Sequence, residues 1–217
     1  MATARDAEAK QADRRVLFFG DSFVAGAGDP TGLGWVGRVV ASSCAAGTGL
    51  TAYNLGVRGE TSVQVAARWR AEARPRMVAP ANYGIVFSFG VNDTVLQDGR
   101  VRVRSGLALD SLERVLDEAA AIGLSALVVG PAPAGEAAHD ARIGALSAAF
   151  GRLAADRGLP FVAVCEALCE AAPWARDVAA GDGVPPGAAG YAALAQLVLR
   201  GGRLRWLCRI DPSRFTA

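Results

Sequence analysis

Short apolar runs alternate along this chain with longer stretches in which apolar residues recur at helical spacing. The segments RVLFFG (15–20), LTAYNLG (50–56), YGIVFSFG (83–90), LSALVVG (124–130) and LPFVAV (159–164) read as strands. YGIVFSFG is apolar almost throughout, as expected of a central parallel strand buried on both faces. Between them, helices are expected over 34–47, 61–73, 105–122 and 138–157, with a last helix, AAGYAALAQLVLR, after Pro186 and Gly187. Leu109, Leu112, Val115 and Leu116 fall on one face of the third helix, and Leu194, Leu197 and Val198 repeat at i, i+3, i+4 in the last.

Five strand–helix alternations predict an α/β fold, with a parallel sheet covered by helices on both faces. In such sheets ligands bind beyond the carboxyl ends of the strands. Gly20, Gly56 and Gly90 are expected to end three strands there, which directs attention to the loops that follow them.

Composition narrows the chemistry. A length of 217 residues suits one domain; residues 1–14 are expected as a flexible arm and 15–217 as a single domain. Basic and acidic residues nearly balance at 23 and 21, so no nucleic-acid footprint is expected. Lys10 is the sole lysine and lies in the polar leader, which excludes a P-loop and a Schiff-base lysine from the body of the fold. With one histidine, His139, a histidine-rich metal site is excluded. Cys44, Cys165, Cys169 and Cys208 are too scattered for a zinc cage, and the nearest pair reads as buried free thiols on one helical face. No metal or organic cofactor is implied. The leader is charged and lacks an apolar segment, and no window approaches the ~18 apolar residues of a membrane span, so a cytoplasmic protein is expected.

Three loops carry candidate chemistry. In GDSFVAGAG (20–28), Ser22 follows a buried strand and can present its hydroxyl at the sheet edge beside backbone N–H groups; alternatively Asp21 and Ser22 cap a helical turn. In NLGVRGET (54–61), Gly56 admits close approach of a ligand to its backbone N–H, with Asn54 and Thr61 placed to pin the turn. In FGVNDT (89–94), Asn92 offers a neutral amide donor just past a central strand.

The order Gly-Asp-Ser, Asn-X-Gly, Gly-X-Asn-Asp and then Asp-Gly-Val-X-Pro resembles the SGNH hydrolases, or GDSL esterase/lipase family, from residue 15 to about 200. The resemblance implies a flavodoxin-like three-layer α/β/α sandwich on a five-stranded parallel sheet. It implies Ser22 as nucleophile, an oxyanion hole from Ser22, Gly56 and Asn92, and Asp182 as the acidic triad member. It also implies a small ester, thioester or acetylated sugar as substrate, without specifying an oligomeric state. GAGDPTGLGW (26–35) and PAPAGEAAHD (131–140) would line the entrance, where Trp35 is either an acyl-chain contact or a core or rim aromatic.

The departure is at the base. The family's catalytic histidine falls three residues after the aspartate, where this chain has Pro185. A serine hydroxyl needs a base within ~2.6–3.2 Å to accept its proton, and proline has none. Three readings follow: an impaired hydrolase with Asp182 acting through water, rescue by His139 from the same rim, or a binding protein that holds an acyl or carbohydrate ligand without turnover. A nucleotide site is disfavoured, because the first loop departs from the dinucleotide fingerprint spacing.

Overall fold

A computed structural model of the chain describes residues 13–47, 49–78, 81–180 and 185–200. The elements in chain order are β1 (Arg14–Gly20), α1 (Ser22–Ala25), α2 (Gly34–Ala45), β2 (Thr51–Gly56), α3 (Ser62–Ala73), β3 (Asn82–Ser88), β4 (Leu96–Gln97), β5 (Arg100–Val101) and α4 (Ser105–Ala121). They continue with β6 (Ser125–Val129), α5 (Ala137–Asp156), β7 (Phe161–Val162), α6 (Cys165–Cys169), α7 (Ala172–Ala180) and α8 (Ala188–Leu199).

Five strands form one sheet in the order β2-β1-β3-β6-β7, every pairing parallel. This is the flavodoxin-like order, whose reversal of direction falls at β1 and β3. The strand period of two divides the core. Val16, Phe18, Val86 and Leu127 face a layer containing α2, α7 and α8. Leu17, Phe19, Ile85, Phe87 and Val128 face α3, α4 and the Leu146–Phe150 face of α5. The expected three-layer α/β/α sandwich is therefore the observed architecture. No helix among the described residues is long and apolar enough to cross a membrane.

Several local expectations are corrected. β1 starts at Arg14, within the expected arm; residues 1–12 lie outside the described ones. β7 is two residues long rather than six, because Pro160 supplies no N–H at its start and the chain turns into α6 soon after. β3 stops at Ser88, which pairs with Gly20, so Gly90 lies past the strand at φ +122. Helices α1, α6 and α7 and the β4–β5 hairpin were not expected; each is too short or too closely flanked by other elements to carry a clear period. Trp35 is fully buried, edge-to-face on Phe18 at 5.6 Å, and is thus a core residue. Of the cysteine pair only Cys165 is buried, Cys169 being exposed; Cys208 lies outside the described residues. Residues 131–134, expected at the entrance, are buried.

Candidate active site

The carboxyl ends of β1, β2 and β3 are level: Gly20 pairs with Gly56 on one side and Ser88 on the other. Asp21 leaves β1 in extended conformation and N-caps α1, its Oδ1 accepting the Phe23 N–H at 3.0 Å. Ser22 opens α1 and is half-buried. Gly26 closes the turn at φ 76, in the left-handed region that favours glycine. The loop beyond it is built around Asp29, whose carboxylate accepts from Thr31 N at 3.0 Å and Gly34 N at 2.8 Å and pairs with Arg38. Burial would raise the Asp29 carboxyl, but the bonds from Arg38, Thr31 and Gly34 outweigh it and hold the group below the usual carboxylate range.

Gly56 is pressed against this turn. A methyl group on its α-carbon would overlap the Ala25 amide nitrogen and lie 2.8 Å from Asp21 O. Asn54 fixes the approach: its Nδ2 donates to Val24 O at 2.7 Å and its Oδ1 accepts the Gly56 N–H at 3.1 Å. The N–H expected as an oxyanion donor is thus engaged by Asn54. Thr61 forms a capping box with Gln64 at the start of α3. Asn54 and Thr61 do pin their turn.

Asn92 lies on a short 3₁₀ turn (Asn92–Thr94). Its Nδ2 donates to Glu60 O at 2.9 Å, and buried Asp93 accepts the Ser62 N–H at 2.8 Å. These bonds lock the third loop onto the second. Val57 N donates to Gly20 O at 3.0 Å and locks the second onto the first. The segments bearing Ser22, Gly56 and Asn92 therefore form one cluster.

Burial dominates the electrostatics. It pushes the Asp21 carboxyl up to about 7, with the charges of Asp93 and Glu60 adding to it against the Phe23 hydrogen bond. Burial likewise raises Asp93, whose Oδ2 has no partner.

His139 comes to the same rim but binds elsewhere. Its Nε2 lies 2.9 Å from Thr94 Oγ1 and 3.3 Å from Val91 O. A carbonyl can only accept, so the contact with Val91 O requires the proton on Nε2. The imidazole fastens α5 to the Asn92 turn.

The C-terminal block meets the Ser22 loop through two contacts. Tyr191 Oη donates to Ala27 O at 2.7 Å. A methyl group at Gly28 would lie 3.0 Å from Pro185 Cγ. Pro185 therefore borders the loop that carries Ser22, while Asp182 lies outside the described residues.

Two residues that brace the framework around these loops escaped the sequence reading. Arg68, from α3, donates to Gly20 O at 3.2 Å and Leu55 O at 2.8 Å, and is held by Glu60 and Glu72. Its i,i+4 spacing to Glu72 was a usable signal, but its reach to two strand ends was not. Asp177 of α7 accepts the Gly190 N–H at 2.6 Å and caps α8 from another helix, which no local pattern announces.

Comparison with known proteins gives a consistent picture. The family model described as "GDSL-like Lipase/Acylhydrolase family" matches residues 18–193. Among solved structures, a lipase/acylhydrolase from Enterococcus faecalis is similar at TM-score 0.70 and 23% identity, over 92% of this chain and 98% of that one. A member of the lipolytic protein G-D-S-L family from Veillonella parvula DSM 2008 follows at TM-score 0.70 and 22% identity, over 85% and 96%. An acetylxylan esterase from Geobacillus stearothermophilus has TM-score 0.70 and 20% identity, over 88% and 95%. None of the curated proteins compared matches the chain.

Proposed function

The chain belongs to the GDSL-like lipase/acylhydrolase family, and from that premise we propose that it is a serine ester hydrolase slowed by the proline at its base position. Ser22 is the nucleophile. Its hydroxyl oxygen attacks the acyl carbon, and the developing oxyanion is met by the N–H of Ser22 and the Asn92 amide. The Gly56 N–H joins them if Asn54 gives way. The hydroxyl proton passes through water to Asp182, the alcohol leaves with a proton, and water then hydrolyses the acyl-serine.

The observation that carries this reading is the seating of Gly56 against the Ala25 and Asp21 backbone beside Ser22. It supports the reading because it holds the end of β2 in backbone contact with the turn that bears the Ser22 hydroxyl. A spacing supports the role of Asp182: structures of the Geobacillus esterase include catalytic mutants at an aspartate and at a histidine three positions later. The same interval separates Asp182 from Pro185 here. A triad missing one member retains roughly 10³–10⁴-fold catalysis over water, far below a working esterase.

Pro185 also favours a second reading, a protein that binds an acylated or acetylated ligand without turning it over. Incubation with p-nitrophenyl acetate followed by intact-mass analysis separates the two. Slow release of nitrophenol with an acetyl adduct on Ser22, absent in Ser22→Ala, supports the hydrolase. Ligand retained intact with no adduct supports the binder.

A further inference from the structure

Five large apolar side chains are exposed among the described residues: Leu33, Val57, Val78, Leu96 and Leu107. Their placement is uneven. Leu33 lies on the loop after β1, Val57 on the loop after β2, Leu96 on the hairpin after β3, and Leu107 in the first turn of α4, which leaves that hairpin. Four of the five thus occupy the carboxyl-end rim, on segments from three adjacent strands, each 42–51% exposed. Val78 alone sits before β3, at the other end of the sheet.

The same segments carry exposed cations. Arg100, Arg102 and Arg104 alternate with Val101, which is half-buried, and Val103, which is buried, so the extended chain turns all three arginines outward. Arg58 adds a fourth beside Val57. None of the four has an ion-pair partner among the described residues. The acidic residues nearby offset them little: Asp21 and Asp93 are buried, with Arg102 alone acting on Asp93 through its charge, and Asp29 is paired with Arg38 and Glu60 with Arg68. Asp98 is the one exposed acid on these loops.

Apolar side chains ringed by unpaired arginines suit a surface with an apolar interior and anionic headgroups. We propose that this rim docks on an anionic lipid bilayer, with the leucines and Val57 entering at headgroup depth and the arginines on the phosphates. Docking there would turn the Ser22 end of the sheet toward the membrane. The proposal does not depend on the chemistry assigned to Ser22.

Co-sedimentation of the full chain with vesicles tests it. Vesicles of phosphatidylcholine with about one-third phosphatidylglycerol should bind about tenfold or more above phosphatidylcholine alone at low salt, and binding should fall several-fold as the Debye length shrinks to ~8 Å. The double variant Leu33→Ser, Leu96→Ser should lose about tenfold in binding with its unfolding midpoint unchanged. The variant Arg100→Gln, Arg102→Gln should lose the preference for anionic vesicles, and Ser22→Ala should bind like the parent. Equal binding to neutral and anionic vesicles overturns the proposal. So does anionic binding indifferent to the leucine pair, since that marks a face for soluble polyanions. Either failure leaves the hydrolase reading standing.

Discussion

Gly56 lies so close to Ala25 that no side chain fits between them: a methyl group on Gly56 would overlap the Ala25 amide nitrogen and stand 2.8 Å from its Cα. The strand end of β2 and the turn bearing Ser22 are therefore in backbone contact. Gly56→Ala must push the Ser22 turn away. Overpacking of this kind costs ~1–3 kcal/mol, so the urea midpoint should fall with the slope unchanged. Ester hydrolysis should fall further than stability does, because the displaced atoms flank the nucleophile. A variant as stable and active as the parent would separate Gly56 from the site.

Pro185 borders the Ser22 loop at Gly28. Pro185→His places an imidazole at the position where the GDSL esterases are expected to carry their base. A general base contributes ~10²–10⁴-fold, so hydrolysis of p-nitrophenyl acetate should rise by about 10²-fold or more and acquire a pH limb near the imidazole range. An unchanged rate would mean that Ser22 and residue 185 do not face one another.

Asp21 makes stability depend on pH in an unusual direction. Burial pushes its carboxyl up to about 7, whereas an unfolded aspartate titrates near ~3.9. Between those values the folded state binds more protons, so stability falls as pH rises. The contribution is complete below about pH 4 and gone above about pH 7. Asp21→Asn retains an acceptor for the Phe23 N–H and removes the titration. Its unfolding midpoint should gain on the parent's from pH 4.5 to pH 8, and a constant difference between the two would contradict the assignment.

His139 spends its Nε2 proton on the Asn92 turn. His139→Ala should cost ~1 kcal/mol of stability, the worth of a net hydrogen bond, and should leave the shape of the pH–rate profile unchanged. Loss of ester hydrolysis in that variant, with the fold intact, would instead make His139 the rescuing base.

Much of the architecture was legible in the chain. Val16 to Phe19 are apolar at every position because β1 is covered on both faces, and the amphipathic run from Leu109 to Leu116 marks a helix with one buried side. β7 was overestimated because an apolar stretch reads as strand whether or not neighbours pair with all of it. Pro160 limits the pairing, and that limit appears only at the sheet edge. The motif loops were legible as candidates, but their hydrogen bonds were not. Asn92 reaches Glu60 across 32 residues and Asp93 reaches Ser62 across 31. The diversion of the Gly56 N–H to Asn54 depends on the turn geometry rather than on either residue's identity.

The sequence by itself determined where the five sheet strands and the long helices between them lie, because side-chain period and apolar area act locally and hold wherever the segment packs; the short helices α1, α6 and α7 and the β4–β5 hairpin were decided by their packing. It also determined the absence of an imidazole at position 185, which no fold can restore. The tertiary structure alone decided which groups meet: glycine backbone against the serine turn, histidine onto the asparagine loop, Arg68 beneath two strand ends. Those meetings are contacts of 2.8–3.3 Å, with no room for a methyl group where backbone meets glycine, between segments tens of residues apart, and hydrogen bonding and overlap repulsion are too short-ranged to be written into any local pattern.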